Sequence, residues 1–224
     1  MTDQTSFIIA AGRADRFAPL LILTASVLTL LIILTDFMKV GFSPLLLKEG
    51  GGVENASFAL LMLGAAAFCI GGAPSLLKRH WHVAVALLIL AGRELDMDKK
   101  YFTSGLFKLR TYTGDAPLSE KLIGAAVILL VLWVLWRFAR RDLASWIRNL
   151  RHGSRTAWVL FLGFGLAAFS KTIDGAARKL EPFGIEMSLE TSAWLGGLEE
   201  VLELIFAFCV VYAVALWVQD HTRA

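Results

Sequence analysis

Long apolar runs separated by short polar stretches dominate this chain, and the runs recur at the length of a membrane-crossing helix. About 20 apolar residues span a bilayer core. Six segments meet or approach that length: residues 17–37, 54–73, 81–101, 117–136, 158–177 and 198–217. The pattern predicts an all-α, polytopic integral membrane bundle of six transmembrane helices. All of residues 1–224 belong to that single domain.

The third segment departs from the pattern. Residues 83–92 are apolar or small, about 15 Å of helix, and then Arg93, Glu94, Asp96, Asp98, Lys99 and Lys100 follow. If the segment crosses a membrane, several ionisable groups lie inside it. Such groups are costly in lipid and face a partner or a watery cavity. The fifth segment also gains charges in its second half. The alternative is that these two are half-spans.

Composition changes this picture little. The chain is 57% hydrophobic and only 18% charged, with a formal net charge of +3, too apolar for an ordinary soluble domain. The first run ends at Thr35, Asp36 and Phe37 without a small-residue cleavage motif, so it is expected to be retained. Cys69 and Cys209 both sit in apolar runs and read as buried thiols.

Charge sets the expected orientation. One set of segment ends carries Arg13, Arg16, Lys78, Arg79, Arg137, Arg140, Arg141, Arg148, Arg151, Arg155 and Arg223, opposed only by Asp3, Asp15, Asp142 and Asp220. By the positive-inside rule this side, with both termini, is cytoplasmic. Short loops and the strong asymmetry point to a bacterial inner (plasma) membrane. Residues 137–155 read as an amphipathic extension of the fourth helix, with Trp146, Ile147 and Leu150 at the interface and arginines toward acidic lipid heads. No nucleic-acid role is expected.

In this topology the unusual polar residues gather on the outer side: Asp36; Glu54 and Asn55; Arg93, Glu94, Asp96 and Asp98; Glu120 and Lys121; Lys171 and Asp174; and Glu199, Glu200 and Glu203. The cytoplasmic half shows no comparable set. Glu94 and Asp98 are four apart and share a helical face, as do Glu199 and Glu203. Glu94, Asp98, Glu199 and Glu203 are therefore the candidate acid–base groups or metal ligands. Oxygen donors favour a divalent cation such as magnesium, calcium or manganese. Arg93 and Lys171 would bind an anionic substrate or balance the carboxylates, with Glu54, Asn55, Asp96, Asp174 and Glu200 in support.

Three functions fit these residues. The first is a membrane-embedded enzyme acting on a lipid or lipid-linked substrate near the outer leaflet. The second is a scaffold or complex subunit held by a buried ion-pair network. The third is a small proton- or ion-coupled transporter, against which stands the confinement of charge to one half of the membrane.

The remaining signals are weaker. In the stretch 101–119, aromatic residues alternate with Lys108 and Arg110, which suits an interfacial anchor or a lid gripping an anionic headgroup. Three glycines, Gly50 to Gly52, precede Glu54 and read as a hinge or a tight approach. Glu190 suits the first turn of the sixth helix. Small residues such as Gly64, Gly163 and Ala167 favour close helix packing. His80 and His82 are two apart, which does not place them on one helical face; they read as a solvated interfacial pair, with zinc binding there the weaker alternative. The layout is similar in outline to membrane hydrolases that hold zinc with outer histidines. All four histidines here, His80, His82, His152 and His221, are expected on the cytoplasmic side, so that assignment is not made. No nucleophile elbow, zinc-protease or phosphate-loop motif is present.

Overall fold

The computed structural model describes residues 2–41 and 50–223, with side chains placed for 16–41, 50–98 and 100–222. The side chains of Asp3, Arg13, Asp15, Lys99 and Arg223 lie outside the described residues, so their part in the charge pattern rests on sequence.

Every regular element among the described residues is helical. Six are long: α1 (Thr2–Val40), α2 (Gly52–Gly71), α3 (Pro74–Glu94), α6 (Leu118–Arg141), α8 (Arg155–Ile173) and α10 (Leu189–Arg223). Four α-helices are short, α4 (Met97–Tyr101), α5 (Leu109–Thr113), α7 (Leu143–Arg151) and α9 (Ala176–Leu180), and a 3-10 turn covers Glu181–Phe183. Five of the long helices carry stretches long and apolar enough to cross a membrane. Their exposed faces are rich in leucine, with Leu30, Leu122, Leu129 and Leu162 among those half or more exposed. Water would not tolerate such a surface, and lipid would. The chain has the make-up of a multi-pass integral membrane protein.

The helix outside those five is α3, and its boundaries correct the expected third span. The segment 81–101 is not one helix. It starts earlier, with Pro74 in the first turn where a missing N–H does no harm, and it stops at Glu94. Asp96 then takes a left-handed conformation at φ 48°, which Asp tolerates better than most residues. Two charged ends around a short apolar middle keep α3 out of the strongly apolar set.

α2 is the centre of the bundle. It packs against α1, α3 and α10, and α10 also packs on α1 and α8. Leu60, Leu61, Phe68 and Val211 are fully buried where these helices meet. Close approach depends on small residues, as the sequence suggests. A Cβ at Gly64 would touch Val211 at 3.4 Å, and one at Gly163 would lie 2.9 Å from the Cβ of Cys209. In lipid such close packing, rather than expulsion of water, holds helices together.

α6 is the outlier. It packs on α3 and α7 and has no extensive contact with α8 or α10 among the described residues. The ring of helices is therefore not closed between α6 and α8. Paired contacts show how the long helices run. Asp36, Gly52, Arg93, Lys171 and Glu203 come together toward one end. Phe17, Gly71 and Val218 meet toward the other, where His80 packs on Trp217 and Arg137 reaches His82. Successive long helices thus run in opposite directions, and α3 reaches from one end to the other.

Candidate functional sites

At the first end, charges from three helices meet. Arg93 leaves the last turn of α3 and its Nη2 donates to Glu203 Oε1 of α10 at 2.5 Å. Lys171, in the last turn of α8, reaches the same oxygen at 2.9 Å and donates to Glu199 Oε1 at 2.6 Å. Ser170 Oγ approaches Glu203 at 3.4 Å. Glu203 is thus shared by two cations from two helices. Glu94 lies 3.7 Å from Arg93 with only 7% of its surface exposed. Glu54 and Glu200 are close enough to interact electrostatically with Glu94.

Five glutamates therefore surround two cations. Glu200 makes no ion pair or hydrogen bond among the described residues, and Glu94 has only the longer contact to Arg93. Half-buried or buried carboxylates without full compensation attract protons or cationic groups. Arg93 and Lys171 are each 45% exposed, so the cluster is reachable from outside the packed core.

Other expected site residues go elsewhere. Asp98 belongs to α4, beyond the Leu95–Asp96 break, and its carboxylate lies by Gly105. The face expected to join Glu94 and Asp98 does not exist, because the helix needed for that spacing ends between them. Glu120 bonds Thr103, and Lys121 donates to Gly114 O. Asn55 caps the Gly51 carbonyl at 2.9 Å, and Asp174 approaches Lys171 at 3.8 Å only. Lys108 and Arg110 are exposed beside and within α5, and no hydrogen bond or ion pair joins them to the cluster. Gly52 is the tight approach: its N–H donates to Asp36 Oδ2 at 2.8 Å, and a Cβ there would meet the Asp36 side chain at 2.8 Å.

The opposite end is not bare, which corrects a second expectation. His82 is 1% exposed and His80 is largely buried, so they are not a solvated pair. The physical reason is local. His80 has φ −122° and ψ 25°, outside the helical region, within α3. That kink breaks the ideal periodicity and brings the two rings to 5.9 Å between centroids. Asp142, at the break between α6 and α7, lies between them: Oδ2 is 2.6 Å from His82 Nε2, and Oδ1 is 3.0 Å from His80 Nδ1. These three side chains are the set of metal-type ligands that converges among the described residues, with donor atoms within 4.8 Å of one another.

Arg137 completes this end. Its Nε donates to His82 Nδ1 at 3.1 Å and its Nη2 to Arg79 O at 3.1 Å. The guanidinium also lies over the stacked rings of Trp81 and Trp133, a favourable cation–π arrangement. The expected headgroup contact of this arginine is therefore replaced by an internal one. The amphipathic extension is interrupted at Asp142, and Trp146 of α7 donates to Ala157 O of α8 at 3.2 Å. No sequence signal marks the kink. A His-x-His pair, with an Arg-Arg-Asp stretch in a distant segment, was the available hint.

Compared with known protein families, curated proteins and solved structures, the chain matches none.

Proposed function

We propose that this chain is a six-span protein of a bacterial inner membrane, with both termini cytoplasmic and the glutamate-rich cluster on the outer side. α3 would be the sixth span: it reaches between the two polar ends alongside α2, and its charges are met inside the bundle. Within that frame the protein is a membrane-embedded enzyme acting on a lipid or lipid-linked substrate. Glu94 and Glu200 would exchange protons with substrate, while Arg93 and Lys171, steered by Glu199 and Glu203, would hold its anionic group.

The observation that carries this reading is the surplus of carboxylates over cations in one small region. A cluster built only to tie helices would balance its charges. Acid–base catalysis uses carboxylates whose charge is not fully compensated. The unclosed ring between α6 and α8 supports entry from the side, as a lipid requires. A divalent cation remains a second way to compensate the glutamates.

The test compares lipid extracts from cells producing the wild-type protein or Glu94→Gln. The expected result is that one lipid class is converted only by the wild type. Unchanged lipid profiles with folded wild-type protein would sink the reading. The non-enzymatic alternative has its own support, since Glu203 joins α3 to α8 through two cations. It predicts that Glu203→Gln lowers thermal stability in detergent without altering any lipid.

A further inference from the structure

We infer that His80, His82 and Asp142 form a binding site for a divalent transition metal of the zinc class, gated by Arg137. The site lies at the far end of the bundle from the glutamate cluster and does not depend on the enzyme reading.

Four observations lead there. First, the backbone departs from helical geometry at His80, and its effect is to bring two imidazoles to one point. Residues two apart on an intact helix point away from each other. Second, the α6–α7 break delivers a carboxylate between those imidazoles, giving two nitrogens and an oxygen within 4.8 Å. Third, His80 Nδ1 is buried and makes no hydrogen bond. It lies 3.0 Å from Asp142 Oδ1 but off the direction a hydrogen bond needs. A buried ring nitrogen held beside a carboxylate but off hydrogen-bond geometry is poorly satisfied, and a metal ion between the three donors would serve all of them. Fourth, an aromatic stack flanks the site. His80 packs edge-on against Trp217 at 4.9 Å between centroids, and Trp217 stacks on Phe68.

The donor set defines the ligand. Two imidazoles and one carboxylate suit zinc, cobalt or nickel better than magnesium or calcium, which prefer oxygen. Zinc–nitrogen bonds of about 2.0–2.1 Å need donor atoms somewhat more than 3 Å apart, so the 2.6 Å His82–Asp142 contact must open by less than an ångström. Three protein ligands leave a further position for water or another ligand.

Arg137 makes the site conditional. Its Nε–H occupies the lone pair of His82 Nδ1, so the ring proton sits on Nε2 and donates to Asp142. A neutral imidazole bound to metal through Nε2 carries its proton on Nδ1 instead and normally donates it to an acceptor. Two donors cannot face each other. Metal entry therefore moves the proton off Nε2 and requires Arg137 to withdraw from the ring. The guanidinium keeps its other partners, Arg79 O and the two tryptophans. Replacing Arg137 by glutamine puts an amide oxygen, an acceptor, within reach of Nδ1–H.

The experiment is a Co(II) titration of the full chain in detergent micelles, read by visible d–d absorption and followed by displacement with Zn(II). One Co(II) per chain is expected, with the spectrum of a four- or five-coordinate ion. His80→Gln and Asp142→Asn should each weaken binding by at least about tenfold, while Arg137→Gln should tighten it by about 10–100-fold, the usual scale for groups behind a metal ligand. Glu203→Gln should leave the titration unchanged, which separates this site from the glutamates. If Asp142→Asn does not fold, His80→Gln decides, because that nitrogen gives up no hydrogen bond when replaced. No Co(II) uptake by either wild type or Arg137→Gln overturns the site. So does uptake that survives His80→Gln or is lost in Glu203→Gln.

Discussion

The two polar ends of this bundle solve opposite problems with similar material. At the glutamate end, carboxylates outnumber cations and the two cations are 45% exposed. At the histidine end, one aspartate sits between two histidines, an arginine stacks on two tryptophans, and His82 is 1% exposed. The first arrangement is open and unbalanced, which suits exchange with a ligand. The second is closed by aromatic rings, with all but one of its polar contacts in hydrogen-bonding geometry. Charge balance and access therefore separate two kinds of site, an open one that can exchange ligand directly and a closed one in which an existing contact must open first.

The sharpest way to break this contrast is to remove the centre of the closed end. Asp142→Ala leaves His82 Nε2–H without its acceptor and His80 without its neighbouring carboxylate. Deleting one partner of a buried charged network costs about 3–5 kcal/mol. A large fall in melting temperature in detergent is expected, and a shift below that of Glu203→Gln would show that the closed end is not the more tightly held of the two.

A milder test separates geometry from charge at the open end. Gly163→Val puts a methyl-bearing Cβ 2.9 Å from that of Cys209, forcing α8 away from α10. Overpacking of this kind costs about 1–3 kcal/mol. Lys171 should part from Glu199 and Glu203, and any lipid conversion should drop although no charge has changed. Retained conversion would show that the register of α8 does not matter to the site.

Glu203→Gln comes next. Arg93 and Lys171 keep Glu94 and Glu199 as partners and are half exposed, so about 1 kcal/mol or less of stability should go with the lost charge. The enzymatic reading expects conversion to fall far more than the melting temperature. The smallest effect belongs to the Lys171–Glu199 pair. A double-mutant cycle using Lys171→Met and Glu199→Gln should return a coupling of about 0.2–1 kcal/mol, as for other solvent-reached pairs. A coupling of several kcal/mol would mark this end as a structural lock rather than an open site.

The two ends also differ in how far they can be read from sequence. Asp36, Glu54, Arg93, Lys171 and Glu203 can be placed near one layer by counting residues from the apolar runs, because helix rise is constant. The pairing of Arg93 and Lys171 on a single glutamate oxygen cannot, since it depends on how each helix is rotated. Asp98 shows the limit in the other direction. Its spacing from Glu94 has meaning only on an unbroken helix, and the chain breaks at Leu95 and Asp96. His80 and His82 show the same limit with opposite outcome: a kink joins what regular geometry would separate.

What the sequence determined by itself is the class of protein: helical, multi-pass, apolar on its outside, with ionisable residues concentrated where apolar runs end. These follow from local composition and helix length, and need no knowledge of neighbours. The tertiary structure alone decided which charges meet, that α6 stands apart from α8, and that His80, His82 and Asp142 face one another. Each of those depends on where helices stop, bend and touch, and contacts between residues far apart in the chain leave no local trace in the order of amino acids.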